Sequence, residues 1–122
     1  MNDQMERGSW GEDRAARYLR LHGYRIVERN FRCRQGEIDI IARKGEIIAF
    51  VEVKQRKNAE FGEAREFVTY AKQRRLIAAA EQWLVKTGCE LQPRFDVIEV
   101  YAPEGTKTLF PEIHHLENAF SV

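Results

Sequence analysis

From Gly36 to Lys57 the chain reads GEIDIIARKGEIIAFVEVKQRK. Two runs rich in isoleucine and valine, Glu37–Ala42 and Glu46–Gln55, flank Lys44-Gly45. Glycine supplies the positive φ that a short hairpin requires, so the stretch predicts two antiparallel strands. Side chains alternate along a strand. In the second strand Ile47, Ala49, Val51 and Val53 form a wholly apolar face, while Ile48, Phe50, Glu52 and Lys54 begin apolar and turn charged. In the first strand Glu37, Asp39 and Ile41 lie opposite Ile38, Ile40 and Ala42. Pairing Ala42–Arg43 with Glu46–Ile47 puts Asp39 opposite Phe50 and diagonal to Glu52, within the roughly 7–8 Å reach of such neighbours.

Two carboxylates and an amine thus converge on strands whose other residues demand burial. Buried charges must be paired or bind a cation. Two readings are open. The three side chains form an ion-paired cross-strand cluster, or Asp39 and Glu52 hold a hard divalent ion such as Mg²⁺, which prefers oxygen ligands and keeps several waters. In the second case the ion activates a water beside a phosphate, and Lys54 steadies the developing charge.

The remaining chain predicts a single domain over residues 1–122. Ser9 and Glu12 have capping-box spacing for a helix running to about His22, stopped by Gly23. Glu12 shares a helix face with Ala15, Ala16 and Leu19. Tyr24–Phe31 predicts a strand and Arg32–Gly36 a polar connection. Arg56–Val68, with Phe61-Gly62, predicts a long loop. A second helix follows from about Thr69 to Gly88, with Leu76, Ala80, Trp83 and Leu84 as its apolar stripe. Arg94–Tyr101 predicts a strand with Phe95, Val97 and Glu99 on one face and Asp96, Ile98 and Val100 on the other. The tail LFPEIHHLENAF suggests a last strand and a short helix. The main order is α-β-β-β-α-β, a mixed α/β (α+β) sheet flanked by helices.

Net charge is only +1, but residues 1–89 carry 18 Lys and Arg against 13 Asp and Glu, and residues 90–122 carry 2 against 6. Basic clusters of this kind suit a phosphate backbone or form a solvated face. Arg56 returns to the Lys54 face, and Lys72, Arg74 and Arg75 lie near the start of the second helix; these four are the candidate nucleic-acid contacts. Gln55 points away from Lys54 in a regular strand and reaches the site only through a bend. His114 and His115 are adjacent, face opposite ways on a strand, and read as surface residues. Two cysteines, Cys33 and Cys89, make neither a disulfide framework nor a zinc site. With no signal peptide and no apolar run of spanning length, a cytoplasmic protein is expected.

An acid followed by (D/E)-x-K at the end of an apolar strand resembles the PD-(D/E)xK nuclease superfamily. Here the acid is Asp39, in GEID rather than PD, and the tripeptide is Glu52-Val53-Lys54. The wider pattern, GEDRAARYLRLHGYRIVERNFR, GEIDIIAR, FVEVKQR, RRLIAAAEQWL, RFDVIEV and ENAF, resembles the YraN-like family of small bacterial proteins over nearly the whole chain. It is similar, more distantly, to archaeal Holliday-junction resolvases. The resemblance implies a restriction-endonuclease-like fold and an endonuclease acting on structured or branched DNA with Mg²⁺ or Mn²⁺; the alternative is a non-catalytic nucleic-acid-binding or adaptor protein on that fold. It implies Asp39, Glu52 and the Val53 carbonyl as metal ligands and Lys54 as the catalytic lysine. Glu12 occupies the place of the resolvases' helix-borne acid, so it is either a site acid or a helix cap. By the same analogy a homodimer is plausible for a branched substrate.

Overall fold

The computed structural model describes residues 3–57 and 68–122, with side chains from Ser9 onward. Its elements are α1 (Asp3–Leu21), β1 (Arg25–Cys33), β2 (Gly36–Lys44), β3 (Ile47–Arg56), α2 (Tyr70–Thr87), β4 (Gln92–Tyr101), a 3₁₀ turn (Gly105–Lys107) and β5 (Glu112–Phe120). The strands form one sheet in the order β1-β2-β3-β4-β5. Every pairing is antiparallel except β3 with β4, which α2 connects as a crossover. The arrangement is mixed α+β and restriction-endonuclease-like.

Central β3 is buried on both faces, which explains its nearly unbroken apolar run. Ile48 and Phe50 pack with Phe95, Val97 and the α2 residues Leu76, Ile77, Ala80 and Trp83. Ala49 and Val51 pack on the other side with Ile98, Val100 and the α1 residues Ala15, Ala16 and Leu19. Helix α2 has the expected stripe and the expected ends. The Thr69 hydroxyl accepts from the Lys72 N–H at 3.2 Å, and Gly88 takes the left-handed conformation.

Four expectations need correction. Ser9 is not a cap, because α1 begins at least as early as Asp3 and carries Ser9 in its interior; Glu12 is therefore free of a capping role. The hairpin turn is Gly45-Glu46, with Lys44 opposite Ile47. This shifts the register by two residues, which keeps the β3 side chains on their predicted faces but moves each partner; in β2, Ile38 departs from the expected face, packing with Ile41 beneath α2 rather than with Ile40 and Ala42. The tail adds the expected last strand, β5, but its short helix is a 3₁₀ turn ahead of that strand. His115 is not a surface residue; its side chain is 5% exposed. The loop expected over Arg56–Val68, with Phe61-Gly62, lies outside the described residues from 58 to 67; Arg56 itself ends β3.

His115 is buried because it belongs to a network that fastens β5 to β4. Asp96, fully buried, accepts from Arg94 Nε at 2.9 Å, Arg94 Nη2 at 2.8 Å and the Asn118 N–H at 3.0 Å, and lies 2.7 Å from His115 Nε2. Arg94 in turn donates to the Tyr24 hydroxyl at 2.5 Å. Burial alone would push the Asp96 carboxyl up, but His115, Arg94 and the Asn118 amide together hold it below its ordinary value. A depressed carboxylate adds stability above its unfolded pKa, and that contribution is lost as pH falls through the folded pKa. Asp96→Asn is expected to lower unfolding free energy by about 2–4 kcal/mol at pH 7, because Arg94 loses its buried partner and keeps only the more distant, exposed Glu117 at 3.7 Å. Denaturant titrations should show this gap narrowing below about pH 4.

Candidate active site

The corrected register brings Asp39 of β2 to the level of Glu52 of β3. The ladder between these strands ends at Ile40–Val51, and past it the strands part. The Asp39 carboxylate fills the gap: Oδ2 accepts the Val53 N–H at 2.8 Å, in place of a main-chain acceptor from β2. In an extended strand a residue's N–H and C=O leave on the same side, so the Val53 carbonyl leaves toward Asp39 as well.

Strand β1 bends at the same level. Asn30 has φ +55°, a left-handed conformation that asparagine tolerates better than most residues. Across it Arg29 faces α1, while Phe31 joins the core beneath α2. Glu12 Oε1 there accepts from Arg29 Nε at 2.8 Å and Asn30 Nδ2 at 3.0 Å. Arg29 also donates to Asp13 at 2.7 Å. Glu12 is thus a buried acid held in a fixed orientation.

These groups open onto a cleft of about 390 Å³ lined by residues that include Glu12, Arg29, Asn30, Asp39, Val53 and Gln55. Gln55 does reach the site region, and its Oε1 is buried without a hydrogen-bond partner among the described residues. The amide fits there because Gly11 of α1 faces it: a Cβ at Gly11 would stand 2.7 Å from Gln55 Oε1.

On the α2 side of β3, Glu52 is almost wholly buried, with 7% of its side chain exposed. Its Oε1 meets two ammonium groups, Lys72 Nζ at 2.5 Å and Lys54 Nζ at 3.5 Å. Burial pushes Asp39 up to about 7, helped by the Glu52 charge and opposed by the Val53 N–H. Burial also lowers the Lys54 amine, with Lys72 contributing, although Glu52 opposes the shift. For Lys72 burial works downward, and its hydrogen bond to Glu52 reverses the sign, leaving the amine raised.

Among the described residues no three His, Cys, Asp or Glu side chains group closely enough to hold a metal ion. A divalent cation here would rely on Asp39 and Glu52, completed by the Val53 carbonyl and water, with the Gln55 oxygen lining the cleft beside Asp39 and Val53. That oxygen set suits Mg²⁺ or Mn²⁺, for which one or two carboxylates plus waters is the usual protein contribution.

The predicted phosphate contacts divide. Lys72 is committed to Glu52. Arg56 is half-buried at the end of β3, with its charge felt by the Tyr101 phenol. Arg74 and Arg75 are exposed on α2. The Lys72–Glu52 contact escaped the sequence because it joins residues twenty apart through a crossover helix. The Glu12 pair with Arg29 and Asn30 escaped it because a left-handed residue interrupts β1.

The fold and cleft define a small restriction-endonuclease-like protein with two acids and two lysines gathered around the end of its central strand. Residues 11–100 match the uncharacterised protein family UPF0102. The chain is 46% identical to a UPF0102 protein of Geobacter sulfurreducens over 94% of its own length and 88% of the relative's. It is 48% identical to one of Clostridium perfringens, over 94% and 93% respectively. The chain belongs to UPF0102, the YraN family. No helix among the described residues is long and apolar enough to cross a membrane.

The raised Asp39 carboxyl sets a sign for stability. Its folded pKa of about 7 exceeds the unfolded value of about 3.9, so the folded chain binds more protons between those limits and loses stability as pH rises through them. Asp39→Asn keeps an acceptor for the Val53 N–H and removes that loss. The variant should be more stable than wild type by about 2–4 kcal/mol at pH 8 without added metal, and no more stable at pH 4. Thermal melts at the two pH values test this.

Proposed function

We propose that this protein is a metal-dependent endonuclease of the PD-(D/E)xK type that hydrolyses phosphodiester bonds in structured or branched DNA. What supports the reading above all is Asp39 pushed up to about 7 beside Glu52 where β2 and β3 part. Two acids held in such strain relax when a cation joins them. Asp39, Glu52 and the Val53 carbonyl would hold the ion, and Glu12 would orient water or substrate from the α1 side. When bound, Mg²⁺ or Mn²⁺ supplies a water of lowered pKa and offsets charge on the phosphate. The chain's own part is positional. The splayed strands admit a phosphate, and the Lys54 ammonium donates to a non-bridging oxygen as charge builds there. Water's oxygen bonds to phosphorus as the P–O ester bond breaks, and the leaving oxygen takes a proton.

Arg29 and Arg32, which line the cleft, fit backbone contact rather than base readout, so a preference for DNA shape over sequence is expected. A homodimer would offer two clefts to the paired strands of a branched substrate.

One observation favours a second reading. Glu52 is already neutralised by Lys54 and Lys72, as in a protein that binds nucleic acid without cutting it. Single-stranded, duplex, flap and four-way DNA incubated with Mg²⁺ or Mn²⁺ separates the two. The nuclease reading requires cleavage that falls by roughly 100-fold or more in both Glu52→Ala and Lys54→Ala. Salt-dependent binding with no cleavage by the wild type under either ion would favour the binding module.

A further inference from the structure

Glu52 has two cationic partners, and the nearer one is unexpected. Lys54 is two residues along the same strand, yet it stands 3.5 Å from Oε1, while Lys72, from α2, reaches the same oxygen at 2.5 Å. The two ammonium groups also lie close enough for the charge of Lys72 to help depress Lys54. Like charges are brought together here only because the buried carboxylate needs neutralising.

A divalent cation cannot be added to this arrangement as it stands. Two ammonium groups and a doubly charged ion would then share one carboxylate, and the repulsion in a partly buried site is large. One amine must leave, and the geometry selects Lys72. Its side chain is 35% exposed against 25% for Lys54. Its backbone is pinned by the Thr69 cap, so leaving requires rotation of the side chain alone. Lys54 is the more enclosed of the two, and from its place two residues along the same strand its ammonium stays beside Glu52 after Lys72 has swung away.

We propose that Lys72 is a built-in counter-ion for Glu52 that a divalent cation must displace, and that the displaced ammonium is taken up by a phosphate of the substrate. The inference rests on the reading of Glu52 as a cation ligand. It makes cation and phosphate mutually reinforcing: each is bound more strongly when the other has drawn Lys72 away, and linkage requires the two gains to be equal. Glu52 is kept neutralised until both are present. Lys72 is a positioning residue in this scheme, acting through Glu52 before it meets the substrate.

Mn²⁺ binding followed by electron paramagnetic resonance tests the proposal without any turnover. Lys72→Met and Lys72→Gln should bind Mn²⁺ roughly tenfold or more tightly than wild type, one unit charge having been removed beside the ion. Lys72→Arg should bind it as wild type does. A hairpin oligonucleotide with phosphorothioate linkages, resistant to cutting, should tighten Mn²⁺ binding to wild type and have much less effect on Lys72→Met. Melting curves confirm that each variant is folded, and a loss of fold would not produce tighter binding. If wild type binds Mn²⁺ in a manner abolished by Asp39→Asn and Glu52→Gln, yet Lys72→Met and Lys72→Gln bind it no better, the counter-ion role is wrong and the cation site stands. If Mn²⁺ binds no variant, or binds without regard to Glu52, the cation site falls and the counter-ion role falls with it.

Discussion

The contact on which the candidate site depends is the bond from the Val53 N–H to the Asp39 carboxylate. It replaces a ladder hydrogen bond where β2 and β3 separate. A sheet that continued its ladder would bury this position under side chains and leave no room for a ligand. A sheet that separated without a substitute acceptor would strand a backbone N–H, a loss of about 1–3 kcal/mol. The carboxylate satisfies the donor while holding the strands apart. The acid that keeps the cleft open is therefore also the acid that the proposed chemistry would use, and burial beside Glu52 raises its pKa.

Around this point the sheet is divided by polarity along its strands rather than between its faces. The α2-side core takes Ile48 and Phe50 and the α1-side core takes Ala49 and Val51, so the first half of β3 is apolar throughout. The second half carries Glu52, Lys54 and Arg56 toward one side and Gln55 toward the other. The same division runs into β4, where Glu99 is buried and accepts from the Tyr101 hydroxyl, pushing that phenol up to about 12. The C-terminal ends of parallel strands β3 and β4 thus both carry a buried acid, and such ends are the usual place for a site in such sheets. The Asp96 network does the opposite work: a paired charge cluster on the α1 side that anchors β5.

Much of this was legible in the residues. The alternation of IIAFVEVK assigned Glu52 and Lys54 to one face, and a register error of two left that assignment intact because the pleat repeats every two residues. The turn was harder, since Lys-Gly and Gly-Glu are both reasonable two-residue loops around Gly45, and only the packing of Ile41 against Phe50 chooses between them. Glu12 was ambiguous for a different reason. Ser9-x-x-Glu12 has the spacing of a cap, and spacing cannot reveal that a helix has begun a turn or more upstream. His115 was misjudged because its burial is conferred by Tyr18, Tyr24 and Asp96, none of them its neighbours in the chain.

By itself the sequence determined the elements, their order, the faces of β3, and the charges that the central strands must accommodate, because propensity and periodicity act over a few residues. Only the tertiary structure decided how those charges are met. Lys72 arrives on Glu52 through a crossover, Arg29 and Asn30 seize Glu12 across a bend in β1, and Asp39 takes the Val53 N–H where two strands part. Each is a long-range electrostatic or hydrogen-bond contact, whose strength depends on distance and burial in three dimensions, quantities that no local pattern of residues encodes.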